Sequence, residues 1–268
     1  MMEYNKLVYL ISTKDEGIDL VLKSIPKENS NKIFVICHQV SNTSFIKSEI
    51  DRSDIIYIES RVLGLSKSRN ILLEYFFNNY KKSIFVLTDD DVIYQDVDVS
   101  DIYDEFVTKK ADILISRVWS FEQWFKDYES RPLVHDLKSV RSVSSIEIIG
   151  NGASFTNSDK TILFNERFGL GAKYKLGEEP IFLTKIIENG YRILSTDLSL
   201  FVHPKESSGT IIVKEFYYAK SGYYVYFYGK VIGSLLLCRL ILKHHFSGKS
   251  KCSLLDALKC AYKGVLDY

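Results

Sequence analysis

Short apolar runs punctuate the first half of the chain, each closed by a polar or glycine-containing stretch. Those spanning Lys6 to Ile11, Lys32 to Cys37, Asp54 to Ile58, Ser83 to Leu87 and Asp112 to Ser116 are rich in β-branched and aromatic residues, the composition of buried strands. Gly17 to Ser24 and Ser66 to Asn79 lie between them with helical spacing. In the longer of the two, Ile71, Leu72, Tyr75 and Phe76 share one face and Ser66 is placed to cap the start. Strands alternating with helices predict an α/β fold with a mostly parallel central sheet and flanking helices, whose chemistry sits at the carboxyl ends of the strands.

The second half is less regular. Ser120 to Ile149 has no single period, whereas Glu178 to Asn189 reads as a helix with Phe182, Leu183, Ile186 and Ile187 inward, Pro180 in its first turn and Gly190 at its end. From Val213 the chain becomes tyrosine-rich and then leucine-rich, which predicts one domain over 1–212 and a C-terminal helical appendage over 213–268. The stretch Tyr223 to Leu242 has about the ~20 residues needed to cross a bilayer. Lys230 would fall near its centre, at a cost of roughly 2.5–3.5 kcal/mol, so peripheral attachment to the cytoplasmic membrane face is expected. There Tyr223, Tyr224, Tyr226 and Tyr228 would sit at the interface and Lys243, Lys249 and Lys251 would meet headgroups. A core-packing helical hairpin uses the same leucines.

Composition narrows the function classes. The 268 residues carry 35 Lys and Arg against 34 Asp and Glu, a net charge of +1 that argues against a nucleic-acid binder built on a basic surface. With 46% hydrophobic and 13% aromatic residues the chain can bury a large core, which excludes a disordered protein. Cys37, Cys238, Cys252 and Cys260 form no C-x-x-C pair, so neither a zinc module nor a disulfide framework fits, and a reducing cytosol is expected. The run from Leu7 to Ile11 is too short for a signal peptide.

Chemistry concentrates in four places. Asp89-Asp90-Asp91 directly follows the strand ending at Leu87, and carboxylates crowded at a strand end call for a compensating cation such as Mg²⁺ or Mn²⁺, although an acidic turn has the same composition. Glu178 and Glu179 open a helix, where the dipole favours the ionised form and a carboxylate can accept a proton from a hydroxyl; ordinary helix design puts acidic residues there too. Phe164 to Ala172 precedes them with Gly169 and Gly171. His203 to Gly209 offers a metal-type ligand, and Ser207 and Ser208 can hold phosphates. Gly64 to Asn70 places Lys67, Arg69 and two serines at a helix start without the spacing of a Walker loop.

Taken together, Gly64-Leu65-Ser66-Lys67-Ser68-Arg69-Asn70, Asp89-Asp90-Asp91, Phe164 to Glu179 and the His203 to Gly209 loop resemble the family 2 glycosyltransferases with the GT-A fold, especially the bacterial enzymes that build capsular polysaccharide or O-antigen. The resemblance runs from about Lys6 to Gly209. It implies a GT-A (nucleotide-diphospho-sugar transferase) fold and an inverting, metal-dependent transfer of a hexose from a nucleotide sugar, UDP first among candidates, to a saccharide hydroxyl, with a lipid-linked acceptor expected. It implies Mn²⁺ or Mg²⁺ held by Asp91, Asp89 and His203, with Asp90 a competitor within the D-x-D run. Ser12, Gln39, Arg69, Asp89, Asp90, Ser207 and Ser208 would line the nucleotide site, and Asn151 and Gly152 would border the sugar or acceptor. Glu179 takes the base position, with Glu178 as its alternative. Many relatives carry an acidic residue after the second strand to contact the base; this chain has Cys37-His38-Gln39-Val40, so Gln39 is assigned that contact through its amide.

Two other classes compete. A sugar nucleotidyltransferase would carry a glycine-rich loop with Arg and Lys near its N-terminus, whereas Ser12 to Gly17 is acidic with one glycine. A non-catalytic carbohydrate-binding or assembly subunit would not need the full carboxylate set.

Overall fold

The computed structural model describes residues 6–41, 50–156, 162–203 and 212–268. The chain divides into two compact units, Met1–Phe164 with Glu179–Lys205, and Asn165–Glu178 with Glu206–Tyr268.

The first unit is built on a nine-stranded sheet. Its strands are β1 (Leu7–Lys14), β2 (Lys32–Gln39), β3 (Ile55–Ser60), β4 (Ile84–Thr88), β5 (Ile93–Tyr94), β6 (Ile113–Ser120), β7 (Gln123–Trp124), β8 (Ile148–Asn151) and β9 (Ile193–Val202). The order is β3-β2-β1-β4-β8-β6-β9-β5, with β7 paired to β6 as a short hairpin. β3, β2, β1 and β4 are mutually parallel, as the alternating pattern predicts, and β6 is parallel to β9. β8 enters between β4 and β6 antiparallel to both, so the sheet is mixed.

Both faces are covered. Phe76, Phe85, Phe182, Leu183 and Ile186 belong to a core on one side, which packs α2 (Leu65–Asn79) and α4 (Glu178–Glu188) onto the sheet. Leu7, Tyr9, Phe34, Ile102 and Phe106 belong to a core on the other, under α1 (Gly17–Ser24) and α3 (Val99–Lys109). Alternate residues of β1 serve the two cores, as strand geometry requires. Ser66 does not cap α2. The N-cap is Gly64 at φ 127°, whose N–H donates to Gln39 Oε1 at 3.1 Å and whose carbonyl accepts from Gln39 Nε2 at 2.8 Å, so a side chain from a neighbouring strand fixes the helix start.

The second unit joins a glycine-rich loop to the C-terminal helices, so the boundary is not a single cut after residue 212. Tyr174 stacks on Phe168 and Tyr218, and its hydroxyl donates to the Gly264 carbonyl at 3.0 Å. α5 (Lys214–Phe246) is long and apolar enough to cross a membrane, yet it breaks at Gly229, where φ 72° and ψ 171° leave the helical region. The two halves fold back on each other: Gly233 lies against the Tyr224 backbone, where a Cβ would come within 2.7 Å, and Tyr217 Oη stands 3.4 Å from His244 Nδ1. α6 (Leu254–Leu266) packs Ala257 and Ala261 into the same core. The tyrosines expected at a lipid interface therefore turn inward in part. Tyr223 is buried and Tyr224, Tyr226 and Tyr228 are half-buried, because the bend gives them protein neighbours.

Candidate active site

Parallel pairing of β1 with β4 sets Ile11 level with Thr88, so Ser12-Thr13 and Asp89-Asp90-Asp91 emerge together at the carboxyl edge of the sheet. The three aspartates then diverge, and each has its own partners.

Asp89 spends both oxygens. Oδ1 accepts from Arg69 Nη2 at 3.2 Å and Oδ2 accepts from Ser145 Oγ at 2.9 Å. Arg69 reaches from the first turns of α2 with only 2% of its side chain exposed, and its Nη1 donates to Glu179 Oε1 at 3.0 Å. The guanidinium lies over the Phe164 ring at 5.4 Å, and Phe164 stacks on Phe182 of α4 at 4.1 Å. One buried cation thus locks together the end of β4 and the start of α4. Its burial is tolerable because two carboxylates satisfy it, and loss of a partner from such an arrangement costs roughly 3–5 kcal/mol. Arg69, expected beside the nucleotide, is instead the bridge between the two acidic positions.

Asp90 turns away. Thr13 Oγ1 donates to its Oδ2 at 2.8 Å, and the carboxylate lies against Gly17, where a Cβ would sit 2.3 Å from it. Burial raises its pKa against the lowering effect of the Thr13 bond. Asp90 therefore anchors the β1–α1 turn, and the absence of a side chain at Gly17 makes the room.

Asp91 points outward, its side chain half-exposed, with Oδ1 3.2 Å from His203 Nε2. The hydrogen bond from His203, against a smaller opposing effect of burial, holds its carboxyl below the usual carboxylate range. His203 follows β9; its N–H donates to the Trp119 carbonyl at 2.8 Å and its ring meets Phe125 edge-on at 5.4 Å. Two ligand atoms at right angles, each about 2.1 Å from an octahedral ion, lie about 3 Å apart, so the Asp91–His203 spacing fits adjacent positions on Mg²⁺ or Mn²⁺. Among the described residues no three His, Cys, Asp or Glu side chains converge for metal binding. An ion held by this pair would complete its shell with water and phosphate oxygens, as these ions commonly do. Asp89, expected as a further ligand, is already held by Arg69 and Ser145.

The remaining expectations separate. Ser12 lies at the same edge and accepts from Ser68 Oγ at 2.9 Å. Both ends of the Gln39 amide are taken by Gly64, so the contact expected with a nucleotide base is replaced by a loop-shaping one. Asn151 and Gly152 are at the wrong edge. Because β8 runs antiparallel, Asn151 pairs with Ile84 at the amino end of β4, and about six residues of strand, roughly 20 Å, separate it from the aspartates. Asn151 caps the turn that follows by accepting from Ala153 N, and Gly152 abuts Phe76. The residues before β8 border the site instead, and Ser145, which the sequence did not single out, is one of them. Glu178 is buried beside Glu179 in sequence. Ser207 and Ser208 lie outside the described residues.

No family model matches the chain, and no curated protein does. Solved structures do. Residues 1–349 of S. aureus TarS match with a TM-score of 0.54 and 13% identity, over 98% of this chain and 72% of that one. The same protein in complex with UDP-GlcNAc matches with a TM-score of 0.56 and 14% identity over 97% and 71%, and a complex with UDP gives 0.53. Against the longer TarS structure the chain spans 43% of the length. At this identity the likeness establishes the fold: a GT-A-type sheet with flanking helices and a C-terminal helical part.

Proposed function

We propose that this protein is an inverting glycosyltransferase that moves a sugar from a UDP donor to a saccharide hydroxyl. The observation that carries the reading is the Arg69 bridge, which joins Asp89 to Glu179 at the same sheet edge as the Asp91–His203 pair. The fold shared with a protein solved with UDP and UDP-GlcNAc supports the choice of donor.

In this reading Glu179 takes the proton of the acceptor hydroxyl as its oxygen attacks the anomeric carbon opposite the departing diphosphate. A single displacement inverts the sugar and needs one base, whereas a glycoside hydrolase needs two carboxyl groups. Arg69 engages one oxygen of Glu179 and so fixes the direction of the other. It is a positioning residue. Asp91 and His203 would hold Mn²⁺ or Mg²⁺, which when bound supplies positive charge to the leaving diphosphate.

A lipid-linked acceptor presented at a membrane, as in surface-polysaccharide synthesis, is part of the proposal. Residues 213–268 contain nine Lys and Arg against three Asp and Glu, while 1–212 contain 26 against 31, so the near-neutral chain is strongly polarised. Val231, Ile232, Leu235, Leu242 and Phe246 are exposed on the second half of α5, close in sequence to Lys243, Lys249 and Lys251. An apolar stripe beside cations suits an anionic lipid surface.

The decisive experiment is UDP release from a panel of UDP-sugars, including UDP-GlcNAc, with Mn²⁺, Mg²⁺ or chelator. Metal-dependent donor hydrolysis that speeds up with a saccharide acceptor is expected. Absence of both binding and hydrolysis across the panel overturns the reading.

A further inference from the structure

The β6–β7 hairpin carries an aromatic cluster that the catalytic groups do not use. Trp119 and Trp124 face each other across the hairpin as a directly opposed pair, with ring centroids 4.7 Å apart and planes at 88°. Phe121 stands at the tip, 58% exposed, with φ 49°. Glu122 N donates to the Ser120 carbonyl across it, closing a tight three-residue turn, and Trp119 Nε1 donates to the Phe121 carbonyl at 3.1 Å. A left-handed position is one that glycine fills without strain and a large side chain does not. Here the turn holds an aromatic ring out in water, where it adds nothing to the core.

The hairpin adjoins the candidate active site, where the Trp119 carbonyl accepts from His203 N at 2.8 Å. Phe125, on the same hairpin, meets the ring of His203, and His203 pairs with Asp91. Arg117 covers a face of the Trp124 ring at 5.3 Å, and Glu122 and Gln123 are exposed beside Phe121. An exposed aromatic ring with hydrogen-bonding side chains beside it matches a pyranose ring, which presents C–H groups on its face and hydroxyls around its edge.

We propose that Phe121, backed by the Trp119–Trp124 pair, forms the platform on which the saccharide acceptor rests. This rests on the glycosyltransferase reading for the ligand's role but not for its binding, and the two can be tested apart. The chain's two tryptophans are both in the hairpin, so intrinsic fluorescence reports on it without turnover. The full chain would be titrated with cellobiose, maltose, lactose and chitobiose, with sorbitol as the polyol control. Saturable change with at least one disaccharide and none with sorbitol is expected. Phe121→Ala should weaken that binding at least fivefold and Phe121→Tyr should restore it, with UDP affinity by calorimetry unchanged in both. No response to any disaccharide, or a response that Phe121→Ala leaves intact, overturns the platform. Saccharide binding without UDP binding would keep the platform and remove the transferase reading.

Discussion

At the scale of single residues, the candidate site depends on how each charge is partnered. Glu179→Gln keeps the size of the side chain and a hydrogen-bonding oxygen for Arg69 but cannot take a proton. Transfer should fall by roughly 10²-fold or more while UDP-sugar affinity by calorimetry stays within about twofold. His135 shows the same logic away from the site. Ser195 Oγ gives its proton to the Pro132 carbonyl at 2.8 Å, so His135 Nε2 must donate to that oxygen at 3.0 Å. Its Nδ1 is then buried without a partner among the described residues, and a second proton there would be unsatisfied. Burial, helped by Arg131, lowers its pKa to about 4. The unfolded chain takes up a proton near pH 6.5 that the native state refuses, so stability is fully present above that pH and lost as pH falls towards 4. Denaturant unfolding from pH 7 to 4 should show a loss of about 2–3 kcal/mol that His135→Gln removes. Phe121→Gly should relax the left-handed turn and raise stability by about 0.5–1 kcal/mol, and a fall in thermal midpoint would show that the exposed ring contributes to folding after all.

At the scale of elements, close backbone approach matters more than helix propensity. α6 crosses the first half of α5 at Gly264, where an added Cβ would sit 1.9 Å from Ser221 Oγ and 2.8 Å from the Tyr218 carbonyl. The serine can rotate, but the carbonyl belongs to a helix backbone and cannot yield without separating the helices. Gly264→Ala should destabilise the C-terminal unit by about 1–3 kcal/mol even though alanine is the better helix former, and calorimetric unfolding would measure it. A neutral or stabilising result would mean that the helices slide past each other at little cost.

Across the whole chain, charge is unevenly divided, and that is invisible in a net value of +1. If the basic segment and its exposed apolar stripe meet anionic lipid, flotation with phosphatidylglycerol vesicles should carry the protein upward and phosphatidylcholine vesicles should not. Leu235→Glu should abolish flotation because it places a carboxylate in the stripe, and raising salt from about 0.1 to about 0.5 M should weaken it through screening. Flotation that ignores both changes, or none at all, removes the membrane from the proposal.

The periods of β1–β4, β6, α1, α2 and α4, the acidic run after β4 and the helix opening at Glu178 were legible in the sequence, because periodicity and local chemistry are properties of neighbouring residues. Assignments that rest on contacts distant in sequence were not. The direction of β8 moved Asn151 and Gly152 to the far edge of the sheet, and no local signal marks whether a strand enters parallel or antiparallel. Gln39 looked able to read a base until Gly64, 25 residues on, took both ends of its amide. Arg69 was recognisable as a cation near a helix start, but its place between Asp89 and Glu179 joins positions 20 and 110 residues away. Gly229 gave no sign in the sequence of a break in the apolar stretch, and packing of the two halves made it the turn of a hairpin. The sequence by itself determined β1–β4, β6, α1, α2, α4 and a helical C-terminus, and which residue types were available for chemistry. The tertiary structure decided which of those residues meet, because charge pairing and side-chain burial depend on distances that folding alone creates.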